Sequence, residues 1–115
     1  MDNNLKQYIQ TALWSSIDED GESLDDRFSE ADLSDEAKVR AENDWMSFLK
    51  QSGDLVEGLD LTDVAHDFWL TRNGHGAGFW DGDYEQELGK NLTKLAHTFS
   101  KVTLYVGNDG KLHFS

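Results

Sequence analysis

Residues 66–83 read HDFWLTRNGHGAGFWDGD, and this stretch limits the possible folds more than any other. It holds two of the four Trp, two of the six Phe, two of the four His and four of the ten Gly. Large rings need burial, whereas glycines relax the backbone beside them, so the chain must pack closely around this segment. Thr62 is expected to cap a helix running to about Arg72, with Ala65, Phe68 and Trp69 facing inward. Asn73-Gly74 is the stop signal, since glycine tolerates the left-handed conformation beyond a helix end. The glycines at 74, 76 and 78 form G-x-G-x-G with no strand before them. That pattern is neither a dinucleotide fingerprint nor a phosphate-binding loop. Close backbone packing, or an irregular strand over the helices, is the expectation for 74–80. Trp69, Arg72, Phe79 and Trp80 also have the composition of an interface hot spot. Core packing is the expected role of Phe68 and Trp69; for Phe79 and Trp80 a partner surface competes with it.

Around that centre the periodicity is mostly helical. Leu5, Ile9, Ala12 and Leu13 form one stripe over residues 3–14, with Asn3 or Asn4 as cap. Ser34 caps a second helix with Ala41, Trp45, Phe48 and Leu49 inward, and Gly53 ends it. Residues 54–61 read as a connector pinned by Leu55, Leu59 and Leu61. Asp83 is expected to cap a fourth helix, with Gln86 completing a capping box and Leu88, Leu92, Leu95, Ala96 and Phe99 buried. Residues 102–106 and Leu112–Phe114 alternate about a Gly107-Asn108-Asp109-Gly110 turn, the signature of a β-hairpin. The expectation is a single acidic α+β domain over 1–115. It has about four helices and a C-terminal antiparallel hairpin, with residues 74–80 as the candidate third strand.

The formal charge is −13, and its distribution is uneven. Residues 15–67 carry 17 acidic and 4 basic side chains, whereas 84–115 carry 3 and 4. Direct nucleic-acid binding is disfavoured, because phosphates would be repelled. A basic protein would be attracted and steered. The acidic surface proposed from sequence comprises Asp18, Glu19, Asp20, Glu22, Asp25, Asp26, Glu30 and Asp32, extended by Asp35 and Glu36. Its plainer alternative is a solvated loop that confers solubility. Leu24, Phe28 and Leu33 are expected to pin the loop to the body. Asp18, Asp20 and Gly21 match part of a calcium loop, but Ser16 and Arg27 stand where carboxylates are needed, so an EF-hand is rejected.

Other chemistry has little support. The chain has no cysteine, which removes disulfides and thiolate metal sites and fits a reducing compartment. His66, Asp67, His75, Asp81 and Asp83 are metal-ligand types at a spacing that matches no known pattern. His66 is expected to be half-buried and bonded to backbone. No nucleophile setting such as G-x-S-x-G occurs. No catalytic residue, metal or cofactor is expected, nor a signal peptide or membrane span.

Four stretches resemble a family of small acidic proteins commonly encoded by bacteriophages and related mobile elements. They are LWSS at 13–16, SLDDRF at 23–28, HDFWLTRNGHGAGFWD at 66–81 and LYVGNDGK at 104–111. The resemblance runs from about Leu13 onward. It departs where family members usually have Pro (here Ser23) and where they often have Arg (here Gly82). The family carries no established activity, so no site residues transfer. The resemblance implies a phage-type protein acting in the cytoplasm of a host bacterium. Combined with the charge, it suggests a non-enzymatic inhibitor. Its acidic, nucleic-acid-mimicking surface would bind a basic host protein such as a nuclease, repair or defence factor, with Phe79 and Trp80 contributing. The alternatives are a small-molecule or metal-binding module centred on 66–83, or a virion or assembly component.

Overall fold

In a computed structural model, which describes residues 2–18, 20–74, 78–80 and 84–115, four helices surround the aromatic segment. Helix α1 spans Asn3–Ser15, α2 Asp35–Ser52, α3 Leu61–Arg72 and α4 Gln86–His97. Strands β1 (Leu104–Val106) and β2 (Leu112–Phe114) follow as an antiparallel hairpin. The α+β architecture read from sequence is the one observed.

Helix α3 lies at the centre. Val64, Ala65, Asp67, Phe68, Trp69, Leu70, Thr71 and Arg72 are all buried, so it has no solvent face along most of its length. A helix enclosed on all sides is packed on all sides: α1 runs along it, α4 lies against it, and α2 contacts α1 and α4. Aromatic rings join these elements. Phe68 stacks on Phe48 of α2 at 4.1 Å between centroids, on Tyr8 of α1 at 5.5 Å, and meets Phe99 edge-on at 5.0 Å. Offset and edge-on pairs at these separations add about 0.5–1.5 kcal/mol each beyond the area they bury.

Arg72 is the departure from expectation. It lies in the last turn of α3, as read from sequence, but it is no hot-spot residue, since its side chain is 2% exposed. Nη1 donates to Tyr8 Oη at 3.0 Å and Asp44 Oδ2 at 2.7 Å. Nε and Nη2 both donate to the Ser100 carbonyl, at 3.1 and 2.6 Å. The guanidinium also lies 5.6 Å from the Phe68 ring centre and 5.5 Å from that of Phe99. Burial pushes the Tyr8 phenol up to about 12, with the neighbouring Arg72 charge opposing that rise.

Three helix starts differ from expectation. Asp2, not Asn3 or Asn4, caps α1, its Oδ1 accepting from Leu5 N at 2.8 Å. Asp60, not Thr62, caps α3, accepting from Thr62 N at 2.9 Å. Glu85 caps α4 through both carboxylate oxygens, which accept from Glu87 N and Leu88 N; Asp83 lies outside the described residues. In each case an anion is placed at the positive end of the helix dipole, where a carboxylate gains more than a neutral cap. Ser34 does cap α2, and Gly53, at φ +48°, ends it.

The hairpin pairs Leu104 with Phe114, Tyr105 with His113 and Val106 with Leu112. Its additional neighbour is Leu33, which bridges Leu112 in parallel while Ser34 N donates to the Leu112 carbonyl at 2.9 Å. The expected third strand at 74–80 is not seen in its described part. Gly78–Trp80 forms a bend and turn, Phe79 N donating to Thr71 Oγ1 at 3.2 Å; residues 75–77 are outside the described set.

Candidate functional site

The acidic segment between α1 and α2 is irregular in sequence but tied down in space. Leu24 and Leu33 are buried and Phe28 packs against the core, as the apolar pins required. Burying each leucine contributes about 1.5–3 kcal/mol, which offsets the ordering of the loop around it. Two short 3-10 turns, Leu24–Asp26 and Glu30–Asp32, lie in the segment between α1 and α2.

Asp18 organises the first half. Its Oδ1 accepts from Asp20 N at 2.8 Å and Glu22 N at 3.0 Å, and its Oδ2 pairs with the Arg27 guanidinium. Gly21, at φ +81°, closes the turn, and Ile17 bridges Ser23 across it. The Glu22 amide, aided by the Asp20 amide and Arg27, holds the Asp18 carboxyl below its ordinary value near 3.8. A lowered pKa means that the stabilisation is complete above the ordinary value and is lost as pH falls below it. Protection of the Asp20 and Glu22 amides, taken relative to the intrinsic exchange rate at each pH, should therefore be present at neutral pH and be lost selectively below about pH 3.8, before the core amides respond. A uniform loss of protection across the chain would contradict this.

The acidic candidates divide into two groups. Asp20, Glu22, Asp26, Asp35 and Glu36 are exposed. The others are partly buried and make internal bonds. Asp18 holds its turn, and Asp25 accepts from Ser23 Oγ at 2.8 Å. Glu30 Oε1 lies 3.7 Å from Lys6 Nζ. Asp32 accepts from Ser29 N at 2.8 Å, completing a capping box. Glu19 lies outside the described residues. The outward-facing charge is thus a subset of the acidic run.

Phe79 is 1% exposed, stacked on Phe48 and edge-on to Tyr84. It belongs to the core and presents nothing to a partner. Trp80 is exposed beside His97, 6.2 Å between ring centres, on the α4 side of the molecule. His66 is half-buried as expected, but its Nδ1 bonds the Thr11 hydroxyl at 2.8 Å and not backbone. Tyr84 Oη donates to Asp67 Oδ2 at 2.5 Å. His75, Asp81 and Asp83, the remaining metal candidates, lie outside the described residues. Among the described residues no three His, Cys, Asp or Glu side chains are grouped to hold an ion. No helix among them is long and apolar enough to cross a membrane.

Sequence reasoning missed a depression of about 530 Å³ beside the acidic turn. Ile17, Leu24, Phe28, Asp20 and the Asp18–Arg27 pair of the acidic segment line it together with Tyr105 and Val106 of β1. Ile17, Tyr105 and Val106 are exposed. Ile17 was the available signal, an isolated β-branched residue inside an acidic run. Its partners on β1 lie almost ninety positions away, so spacing gave no hint of them.

The chain matches no family model, no curated protein and no solved structure.

Proposed function

We propose that this protein is a non-enzymatic, phage-type inhibitor acting in the cytoplasm of a host bacterium. Its acidic face occupies the nucleic-acid-binding cleft of a basic host protein. The observation that carries this reading is the set of exposed carboxylates at Asp20, Glu22, Asp26, Asp35 and Glu36. They project from a segment anchored at Leu24 and Leu33. Carboxylates held on a fixed backbone compete with phosphate without losing much entropy on binding, whereas a free acidic tail must be ordered first. Duplex DNA presents about one charge per 1.7 Å of axis, so several charges on one face are needed to displace it.

The test is affinity capture from bacterial lysate at low and high salt, with duplex DNA as competitor. One dominant nucleic-acid-binding protein, released by salt and by DNA, is the expected result. A variant combining Asp20→Asn, Glu22→Gln, Asp26→Asn, Asp35→Asn and Glu36→Gln should fold, since all five side chains are exposed. Losing the two α2 dipole contacts costs about 0.3–1 kcal/mol each. That variant should lose the captured protein. Undiminished capture would refute the reading. Asp18 is left intact because its neutralisation would release the turn itself.

A further inference from the structure

We propose that the outer edge of β1 takes up an extended basic segment of a protein partner as an added strand. This inference rests on the acidic-surface reading and specifies how the partner is held. Gly107 N donates to the Lys111 carbonyl and Ser115 N to the Thr103 carbonyl. In an antiparallel ladder the bonded pairs recur at every second residue. Thr103, Tyr105 and Gly107 therefore face β2, and Leu104 and Val106 direct their amides and carbonyls to the opposite edge. β2 is occupied on both sides, by β1 and by Leu33.

The depression borders β1. Successive strand residues point to opposite faces, so a hollow lined by both Tyr105 and Val106 opens along the strand's backbone edge. Such an edge, with an apolar hollow next to it, is the geometry of strand addition: main-chain bonds supply affinity and alternate side chains supply selectivity.

Charge selects the occupant. Arg27 is neutralised by Asp18, leaving Asp20 in the hollow and exposed Glu22 and Asp26 on the same loop. A second copy of the chain would bring another −13 to this edge, which opposes self-pairing. The fitting segment alternates apolar residues, seated against Ile17, Leu24 and Phe28, with lysine or arginine facing the carboxylates.

The probe is a short labelled peptide alternating valine with lysine. Its control is the same peptide with proline in place of the central residue, which prevents an extended ladder. The alternating peptide should bind and slow exchange at the Leu104 and Val106 amides, and the control should bind about tenfold more weakly. Val106→Pro removes only an amide that points away from β2, so the hairpin ladder persists while peptide affinity falls about tenfold. Ile17→Ser, at a side chain 67% exposed, leaves stability unchanged and also weakens binding. Equal binding of both peptides, or full affinity in Ile17→Ser, would overturn strand addition and leave the acidic-surface reading standing. No binding of either peptide, together with failure of the lysate capture, would end both. A dimer of the protein alone that Val106→Pro dissolves would assign the edge to self-association and overturn the proposal.

Discussion

Arg72→Ala should lower the stability of the domain by about 3–5 kcal/mol, the range for breaking a buried charge pair by removing one partner. The wild-type guanidinium makes four hydrogen bonds with Tyr8, Asp44 and Ser100 and lies against the Phe68 and Phe99 rings. Truncation strands the Tyr8 hydroxyl and the Ser100 carbonyl and opens a void among aromatic rings. Asp44 suffers less, because its side chain is 25% exposed and water can reach it. Asp44→Asn should accordingly cost clearly less than Arg72→Ala. Arg72→Lys should not rescue the loss, since one ammonium cannot span three acceptors held by different elements. Denaturant unfolding followed by tryptophan fluorescence measures all three; the midpoint should move with little change in slope. A loss below about 1 kcal/mol for Arg72→Ala would show that the buried network is not a stabilising centre.

Gly89→Ala reverses the sign that a helix-propensity argument gives. Gly89 lies inside α4, where alanine normally gains about 1 kcal/mol over glycine. Here an added Cβ would come 2.5 Å from the Phe79 carbonyl oxygen and 3.5 Å from Tyr84 Cβ. The first of these atoms is backbone, so relief requires moving α4 or the turn that carries Phe79. Phe79 in turn stacks on Phe48, and the shift propagates into the core. The expected outcome is a net loss of about 1–3 kcal/mol, as for other overpacked sites. Thermal unfolding of the variant checks it. A raised melting temperature would mean that α4 can slide away from the turn freely.

The two variants show where sequence reasoning succeeded and where it stopped. Helix periodicity identified α1, α2 and α4, because each has one apolar stripe and one wet face. It identified α3 as a helix but placed only Ala65, Phe68 and Trp69 inward, since arginine, aspartate and threonine carry no apolar signal. Local chemistry located the Gly53 stop and the Gly107–Gly110 turn. It placed three caps wrongly, because several polar residues adjoin each helix start and only the packed angle of entry selects among them. Phe79 and Trp80 are adjacent and similar in composition. The first is core and the second exposed because the turn after α3 points one ring at Phe48 and leaves the other against α4. Nothing in the local pattern separates them.

The amino-acid sequence by itself determined the class of fold, the identity of most elements and the concentration of negative charge before α3. These follow from composition and from periods of two and 3.6 residues, which are local quantities. Only the tertiary structure decided which carboxylates reach solvent and which are consumed by internal bonds. It also decided that Arg72 is a buried tie, and that Ile17 shares a hollow with Tyr105 and Val106. Each of those outcomes depends on contacts between residues far apart in the chain, and their partners are set by the packing of whole elements around α3.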